Sequence, residues 1–585
     1  MRQRPASLAG HTCLIIGLAD IVSSVVPRIR EGRFEHIALY VPGLADDVAR
    51  AGALAAGILL VMLAGGLRRR KQRAWQAAVV LLALSAVLQG VRHHALVPAA
   101  VSAALCVTLV AERRQFRALG DPRTRSRALW NFLVLGCCSV GLGLAVVGVR
   151  AGDEAGHGIS LMDRLRQVGY GLFGMRGPIG YESDRAADLV YFSLIALGLV
   201  TATTTIYLAL RPVPSRAGTG GDRLHALLTK EGRRDSLGYF ALRRDKSVLF
   251  SPTGKAAIAY RVVSGVAVAG GDPIGDIEAW PGAIKEFLAE CARHAWTPAV
   301  MGCSEVGGQV WTREGGLRAL ELGDEAIVDT GAFSLGGRSM RNVRQMVNRI
   351  ERGGYHCRVR RMRELSDEEK RRLREAAAAW RGSATERGFS MALGRFGDPD
   401  DGDCVVVTAH QIDDDGQERV RALLHFVPWG DDGLSLDLMR RDRTAEPGLN
   451  ELLIVAALRA APGLGVSRVS LNFAVFRAAL ARGERIGAGP VLRVWRGLLI
   501  FLSRWFQIES LYRFNAKFQP VWEPRFVVYP SARDLPRIGW ACLQAEAFVV
   551  LPRPAERLRQ LVRGGAWLRA EAAPEPKPRS APLSP

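Results

Sequence analysis

SLDLMRRD, residues 435–442, is the stretch on which the reading of the C-terminal half turns. Leu436 and Leu438 alternate as a half-buried strand requires, yet Asp437 stands between them and Arg440, Arg441 and Asp442 follow. Working outward, 405–409, a turn at 413–416 and 420–426 read as two antiparallel strands, and 434–439 completes the meander. Beyond it, 450–461 carries a helical apolar pattern and 469–473 reads as another strand. This alternation places the half in the α/β class.

The same alternation starts further upstream. Residues 255–268 read as strands joined by a turn at Ser264-Gly265, and 281–294 as a helix. Ser366 and Glu369 have capping-box spacing and open a helix that runs to about Trp380. Strands and helices thus occur before and after about residue 360, which predicts two α/β units in tandem.

Composition separates this half from what precedes it. The chain of 585 residues carries a formal charge of +22, which favours an anionic partner such as nucleic acid or a membrane surface. Its mean hydropathy is still +0.07 with 23% charged residues, the signature of a membrane part joined to a charged soluble part. Six apolar runs approach or reach the length that spans a bilayer: 8–26, 51–67, 74–91, 95–111, 129–149 and 189–210. The first is interrupted by Asp20 and lacks a small-residue cleavage site after it, so it reads as a span rather than a removed leader. Basic clusters at 68–73, 113–127 and 211–216 follow the second, fourth and sixth runs, which predicts that both ends of the bundle face the cytoplasm. The expected organisation is a helical membrane domain over 1–211, a linker over 212–222, a soluble domain over 223–570 and a disordered tail over 571–585. The nine cysteines show no C-x-x-C and the ten histidines no H-E-x-x-H, so neither a disulfide framework nor a metal site is expected.

Three stretches carry chemistry. A carboxylate on a half-buried strand costs free energy unless it is paired or opens to solvent. Asp437 is therefore either a structural partner of a nearby arginine or a group that holds a cationic substrate or assists proton transfer. Arg440 lies across the pleat from it in an ideal strand, and both face one cleft only if the strand ends or bulges between them. Arg441 and Asp442 point to an end. The second stretch, LYRFNAKFQPVWEPR (511–525), interleaves Tyr512, Phe514, Phe518 and Trp522 with Arg513, Lys517 and Arg525. It is either a core segment with snorkelling bases or a surface for stacking and phosphate pairing. The third, 339–355, has an apolar stripe at helical spacing, with Arg341 and Arg344 on another face and Arg338 just before it. That face is either merely solvated or binds phosphate. A further apolar run, 491–506, is short for a span and fits a core or a bilayer surface.

Six pieces occur in one order: SLGYFALRRDKSVLFSPTGKAAIAYRV (236–262), VAGGDPIG (268–275), the arginine-rich helix, RGFSMALGRFG (387–397), LSLDLMRRD (434–442) and LYRFNAKFQPVWEPR. With them the soluble half resembles the C-terminal domain of bacterial phosphatidylglycerol lysyltransferases, the lysylphosphatidylglycerol synthases. The resemblance implies a tandem acetyltransferase-like (GNAT-type) fold. It implies transfer of an aminoacyl group, lysyl by default, from aminoacyl-tRNA to a hydroxyl of phosphatidylglycerol at the cytoplasmic membrane face. By motif matching, Asp437, Arg440 and Lys517 fall where the family places functional residues. Two departures stand out: the membrane part has fewer spans than the long members with a flippase domain, and no synthetase domain follows. The second implies that a separate synthetase supplies charged tRNA.

The residues fit such chemistry on their own terms. An aminoacyl ester is already activated, so no cofactor and no metal is needed, and no G-x-x-x-x-G-K-[ST] occurs. Asp437 and Glu451 suit a cationic amino acid, and Arg440 and Lys517 suit the oxyanion. Arg441, Asn472, Arg525, Arg338, Arg341 and Arg344 are further substrate-binding candidates. Rival readings are a CoA-dependent acetyltransferase, a non-enzymatic membrane protein or transporter, and a transferase with another lipid acceptor. The first wants a pyrophosphate loop, and RGERIGAG (482–489) has Glu484 where Gln or Arg belongs.

Overall fold

The computed structural model describes residues 72–91, 96–113, 122–152, 160–175, 177–181, 183–209, 220–382, 386–412, 416–475 and 508–549, with short pieces between 12 and 67. Much of the first two apolar runs lies outside the described residues, as do 212–219, 413–415, 482–489, 491–506 and the tail.

In the apolar part, helices Gln72–Val91, Leu96–Ala111, Pro122–Gly152 and Asp184–Ala209 form where the runs predict them. Among the described residues, two stretches are long and apolar enough to cross a bilayer, Leu129–Gly148 and Ala186–Ile206. Their outward surface is apolar, with Trp130, Phe132 and Phe192 exposed, as a lipid-facing helix requires. Polar side chains join the two: Ser139 and Thr201 share a hydrogen bond of 2.9 Å, and Asn131 Nδ2 donates to Thr205 Oγ1 at 3.1 Å. A helix that the apolar pattern did not predict, Leu161–Leu172, packs on both. Ser160 caps it by accepting from Asp163 N–H. Its end meets Gly198 so closely that a Cβ there would lie 2.0 Å from Leu172 O.

The soluble part is one mixed sheet of twelve strands, β1 Ser247–Phe250, β2 Ala256–Val263, β3 Val266–Gly270, β4 Ile274–Gly275, β5 Thr297–Cys303, β6 Arg318–Asp329, β7 Tyr355–Arg361, β8 Val405–Ile412, β9 Glu418–Trp429, β10 Gly433–Arg441, β11 Arg468–Val475 and β12 Val521–Tyr529. The order is β1-β2-β3-β5-β12-β6-β11-β10-β9-β8-β7, with β4 beside β2. The predicted meander is β8–β9–β10, antiparallel throughout. Beyond the helix Leu449–Ala460, β11 returns parallel to β10. The two halves meet where β6 pairs with β11, and β12 crosses back to sit between β5 and β6. The C-terminal strand therefore completes the first half of the sheet.

Helices cover both faces. Trp280–His294 and Glu305–Gly315 set Ile284, Phe287 and Trp311 against Ile258 and Tyr260. In the second half, Arg341–Arg352 and Leu449–Ala460 lie on one face. The expected stripe of the former is buried through Val343, Val347 and Ile350, each worth on the order of 1.5–3 kcal/mol when fully buried. Helix Asp367–Trp380, with its Ser366–Glu369 capping box, lies on the other face with Leu373 and Ala377 inward.

The seam between the halves is polar. Arg525 on β12 is 3% exposed and spends all five N–H donors inside. Nε and Nη2 bond Glu325, Nη1 bonds Asp235 at 2.7 Å and Gly302 O at 3.2 Å, and Nη2 bonds Ser236 Oγ at 2.7 Å. Glu325 also accepts from Ser236 and from Ser470 of β11. Removing one member leaves the others charged and buried. Arg525→Ala is expected to cost about 3–5 kcal/mol. Arg525→Lys should recover little, since an ammonium cannot reproduce the fork. Thermal unfolding of the full chain in detergent checks this; a midpoint unchanged in Arg525→Ala contradicts it.

Candidate active site

β10 leaves regular pairing at one place. Leu436 pairs with Phe426 and Leu438 with His425 of β9, so Asp437 is an extra residue, a β-bulge. Before it, Leu434 and Leu436 face the core under helix Leu449–Ala460; after it, Leu438 faces the opposite core. Asp437, Leu438 and Arg440 consequently line one cavity of about 500 Å³. The strand runs on to Arg441, so the expected end at this point is corrected to a bulge.

The far wall is built by helix Asp367–Trp380, through Arg374, Ala377 and Ala378, and by residues 386–398. Carboxylates pin this second segment at two places. Glu546, just after helix Leu535–Ala545, accepts from Phe389 N at 2.6 Å, Ser390 N at 3.0 Å and Ser390 Oγ at 2.6 Å. Asp437 Oδ1 accepts from Leu393 N at 2.6 Å, while Oδ2 lies 2.7 Å from His425 Nδ1. In place of the arginine that the structural alternative offered, Asp437 is partnered by a histidine and a main-chain amide.

Five arginines line the cavity: Arg244, Arg374, Arg381, Arg395 and Arg440. Three of them hold the wall. Arg374 donates to Phe396 O and Gly397 O, each at 3.1 Å, Arg244 bonds Asp398, and Arg395 bonds Asp401 at 2.7 Å. Asp401 also accepts Tyr239 OH at 2.9 Å, and burial raises its pKa from the ordinary carboxylate value. Arg440 spends one bond of 3.2 Å on Met439 O and faces Glu386 at 3.8 Å. Burial lowers its pKa, yet a guanidinium stays charged. It retains N–H groups that can reach a substrate oxygen.

The other candidates lie elsewhere. Lys517 Nζ bonds Glu451 Oε1 at 2.8 Å, and neither lines the cavity. Arg441 does not line it either. Asn472 has φ +69° beside an irregularity of β11, and its Oδ1 is buried without a partner among the described residues. Arg338 and Arg341 are exposed at the start of helix Arg341–Arg352. Arg344 is turned back onto Leu335 O and Gly337 O, beside a second cavity of about 440 Å³. Arg525 is saturated at the seam. Sequence reasoning passed over His425, Asp401, Arg395 and Glu546. His425 alone left a signal, an isolated imidazole in the apolar run ALLHFVPW at 422–429.

Among the described residues no group of three or more His, Cys, Asp or Glu is placed to hold a metal ion. The chemistry available at the cavity is acid–base and electrostatic: a carboxylate acceptor, guanidinium donors and a mixed apolar floor.

The fold and the cavity are those of a mixed-sheet α/β domain that follows apolar helices, and comparison with known proteins gives the family. Residues 225–529, more than half of the chain, match the family model for the C-terminal part of phosphatidylglycerol lysyltransferase, and residues 2–206 match that for the transmembrane region of lysyl-tRNA synthetase. The chain belongs to the phosphatidylglycerol lysyltransferase family. It is 42% identical over 522 residues to the lysylphosphatidylglycerol biosynthesis bifunctional protein LysX of Rhodococcus opacus, covering 86% of this chain and 45% of that protein. It is 40% identical over 570 residues to the LysX of Mycobacterium marinum, covering 93% and 50%. The chain thus spans about half the length of the curated relatives it matches. The solved structure of L-PGS from Bacillus licheniformis overlaps 58% of this chain and 99% of its own at TM-score 0.49 and 23% identity. A GCN5-related N-acetyltransferase from Kribbella flavida overlaps 55% and 99% at TM-score 0.27 and 15% identity.

The cavity wall rests on a buried amine. Lys246 is 3% exposed, donates to Phe240 O at 3.1 Å and lies 4.3 Å from the centre of the Phe389 ring. Burial pulls its pKa down to about 7. An unfolded lysine holds its proton to about 10.4, so between these values the unfolded chain binds more protons and stability rises with pH. The full chain in detergent should therefore gain unfolding midpoint from pH 7 to 9.5 relative to Lys246→Met. Parallel pH dependences for the two proteins would contradict this.

Proposed function

We propose that the chain transfers a lysyl group from lysyl-tRNA to the headgroup hydroxyl of phosphatidylglycerol at the cytoplasmic membrane face. The observation that carries this reading is the bulge that turns Asp437 and Arg440 into one cavity, in a chain of this family. The names of the relatives, lysylphosphatidylglycerol biosynthesis proteins, favour lysyl as the group carried.

The chemistry balances without a cofactor. The lipid hydroxyl attacks the ester carbonyl while Asp437 takes its proton. Arg440 stabilises the oxyanion of the tetrahedral intermediate. The C–O bond to the tRNA ribose then breaks, and the departing oxygen takes the proton back. The cationic side chain of the donor sits against Glu386, which leaves the Asp437 carboxylate to the hydroxyl proton. Exposed Arg338 and Arg341 suit the phosphates of the tRNA. Lys517 and Glu451, suited to an oxyanion and to a cationic amino acid, pair with each other and are not among the residues that line this cavity.

The wider organisation belongs to the same proposal. Residues 1–211 form six spans with both ends inside, a linker follows, and 223–570 comprises two acetyltransferase-like units divided near 360, with a tail over 571–585. The order β8–β9–β10, helix, parallel β11 supports the second unit.

The test uses the purified full chain in phosphatidylglycerol vesicles, with tRNA charged in turn with radiolabelled lysine, alanine or arginine. Label is expected in the lipid phase from lysyl-tRNA, with a loss of about 100-fold or more in Asp437→Ala. Label from no charged tRNA would overturn the reading, and full transfer by Asp437→Ala would remove Asp437 from it.

A further inference from the structure

Behind Asp437 lies a side chain that the reaction above leaves unused. His425 on β9 is fully buried, with Nδ1 2.7 Å from Asp437 Oδ2. The Phe396 ring, part of the cavity wall, meets it edge-on with 4.9 Å between centroids. A carboxylate accepts only, so the shared hydrogen is on Nδ1. Nε2 then has no partner among the described residues, and neither has Oδ2 of the buried Asp401. The two are close enough that charge on His425 lowers the Asp401 pKa against burial. Each unpaired buried polar atom costs stability. An apolar side chain of the same size would leave the buried Asp437 Oδ2 without its donor, so the imidazole is there for that oxygen.

A carboxylate held by one hydrogen bond still turns about its Cβ–Cγ bond, a broad torsion. Leu393 N–H holds Oδ1 and His425 holds Oδ2, from separate elements on either side of the bulge. Together they leave the carboxylate one orientation, with its remaining lone pairs toward the cavity.

We propose that His425 is the positioning residue for Asp437: its Nδ1–H fixes the carboxylate in the orientation that accepts the proton of the acceptor hydroxyl. The inference rests on the transfer reading above. His425 acts through Asp437 and does not touch substrate.

The experiment measures kcat and KM for lysyl-tRNA with the full chain in phosphatidylglycerol vesicles. It compares wild type, His425→Asn, which keeps a donor near the Nδ1 position, and His425→Leu, which keeps size and loses the donor. Both substitutions are repeated on Asp437→Asn, and thermal midpoints are recorded throughout. His425→Leu is expected to lower kcat on the order of 10- to 100-fold with KM nearly unchanged, since misorientation acts on the reacting step. His425→Asn should restore most of that loss. On Asp437→Asn, His425→Leu should cost nothing more, as for residues that act as a unit. Should the Leu variant fail to fold, His425→Gln replaces it, its donor displaced from Oδ2. An unimpaired Leu variant, an Asn variant as impaired as Leu, or multiplying losses in the double variant would overturn the proposal alone. A wild type that moves no label overturns the transfer reading and this proposal with it.

Discussion

The Asp437 carboxylate joins three parts of the chain that are distant in sequence. One oxygen holds the amide of Leu393 in the cavity wall, and the other holds the ring of His425 on the neighbouring strand. The bulge makes both contacts possible, because the extra residue turns Asp437 and Leu438 to the same face and keeps Arg440 with them. A regular strand would send one of the two charged groups into the opposite core, where a lone charge is too costly to bury. The site and the local backbone irregularity are therefore one feature.

The rest of the sheet holds this arrangement in place. Arg525 ties β12 to β6 and to the segment at 235–236, and the Glu325 it holds also accepts from Ser470 of β11 across the seam. Further along the chain, Glu546 anchors Phe389 and Ser390 at the base of the wall. Through these two contacts the chain beyond residue 520 braces the wall of the cavity that Asp437, Leu438 and Arg440 of β10 line. Both are charge-assisted and buried or half-buried, the class of contact whose loss costs most.

The meander, the helix Leu449–Ala460 and the capping box at Ser366 were legible because period and cap chemistry are local properties. The bulge was not, since Leu-Asp-Leu reads as the same alternation with or without an extra residue. Asp437 and Arg440 were legible as a pair, but the prediction needed the backbone to join them. His425 needed strand register, which the alternation of β9 alone does not fix. Glu546 contacts a segment more than 150 residues away and leaves no pattern. The basic-aromatic pattern of 511–525 fits a core or a surface alike, because nothing local says that Glu325 and Asp235 wait for Arg525. The helix Leu161–Leu172 was missed because it is short and mixes charged with apolar residues.

The central claim is that the aminoacyl ester reacts beside the bulge, between Asp437 and Arg440. The most direct measurement is a structure of the full chain bound to a lysyl-adenosine mimic with an amide in place of the ester. The mimic's carbonyl oxygen is expected within hydrogen-bond reach of Arg440 and its lysyl side chain inside the cavity. A mimic seated instead at Glu451 and Lys517, with the cavity beside Asp437 empty, would contradict it.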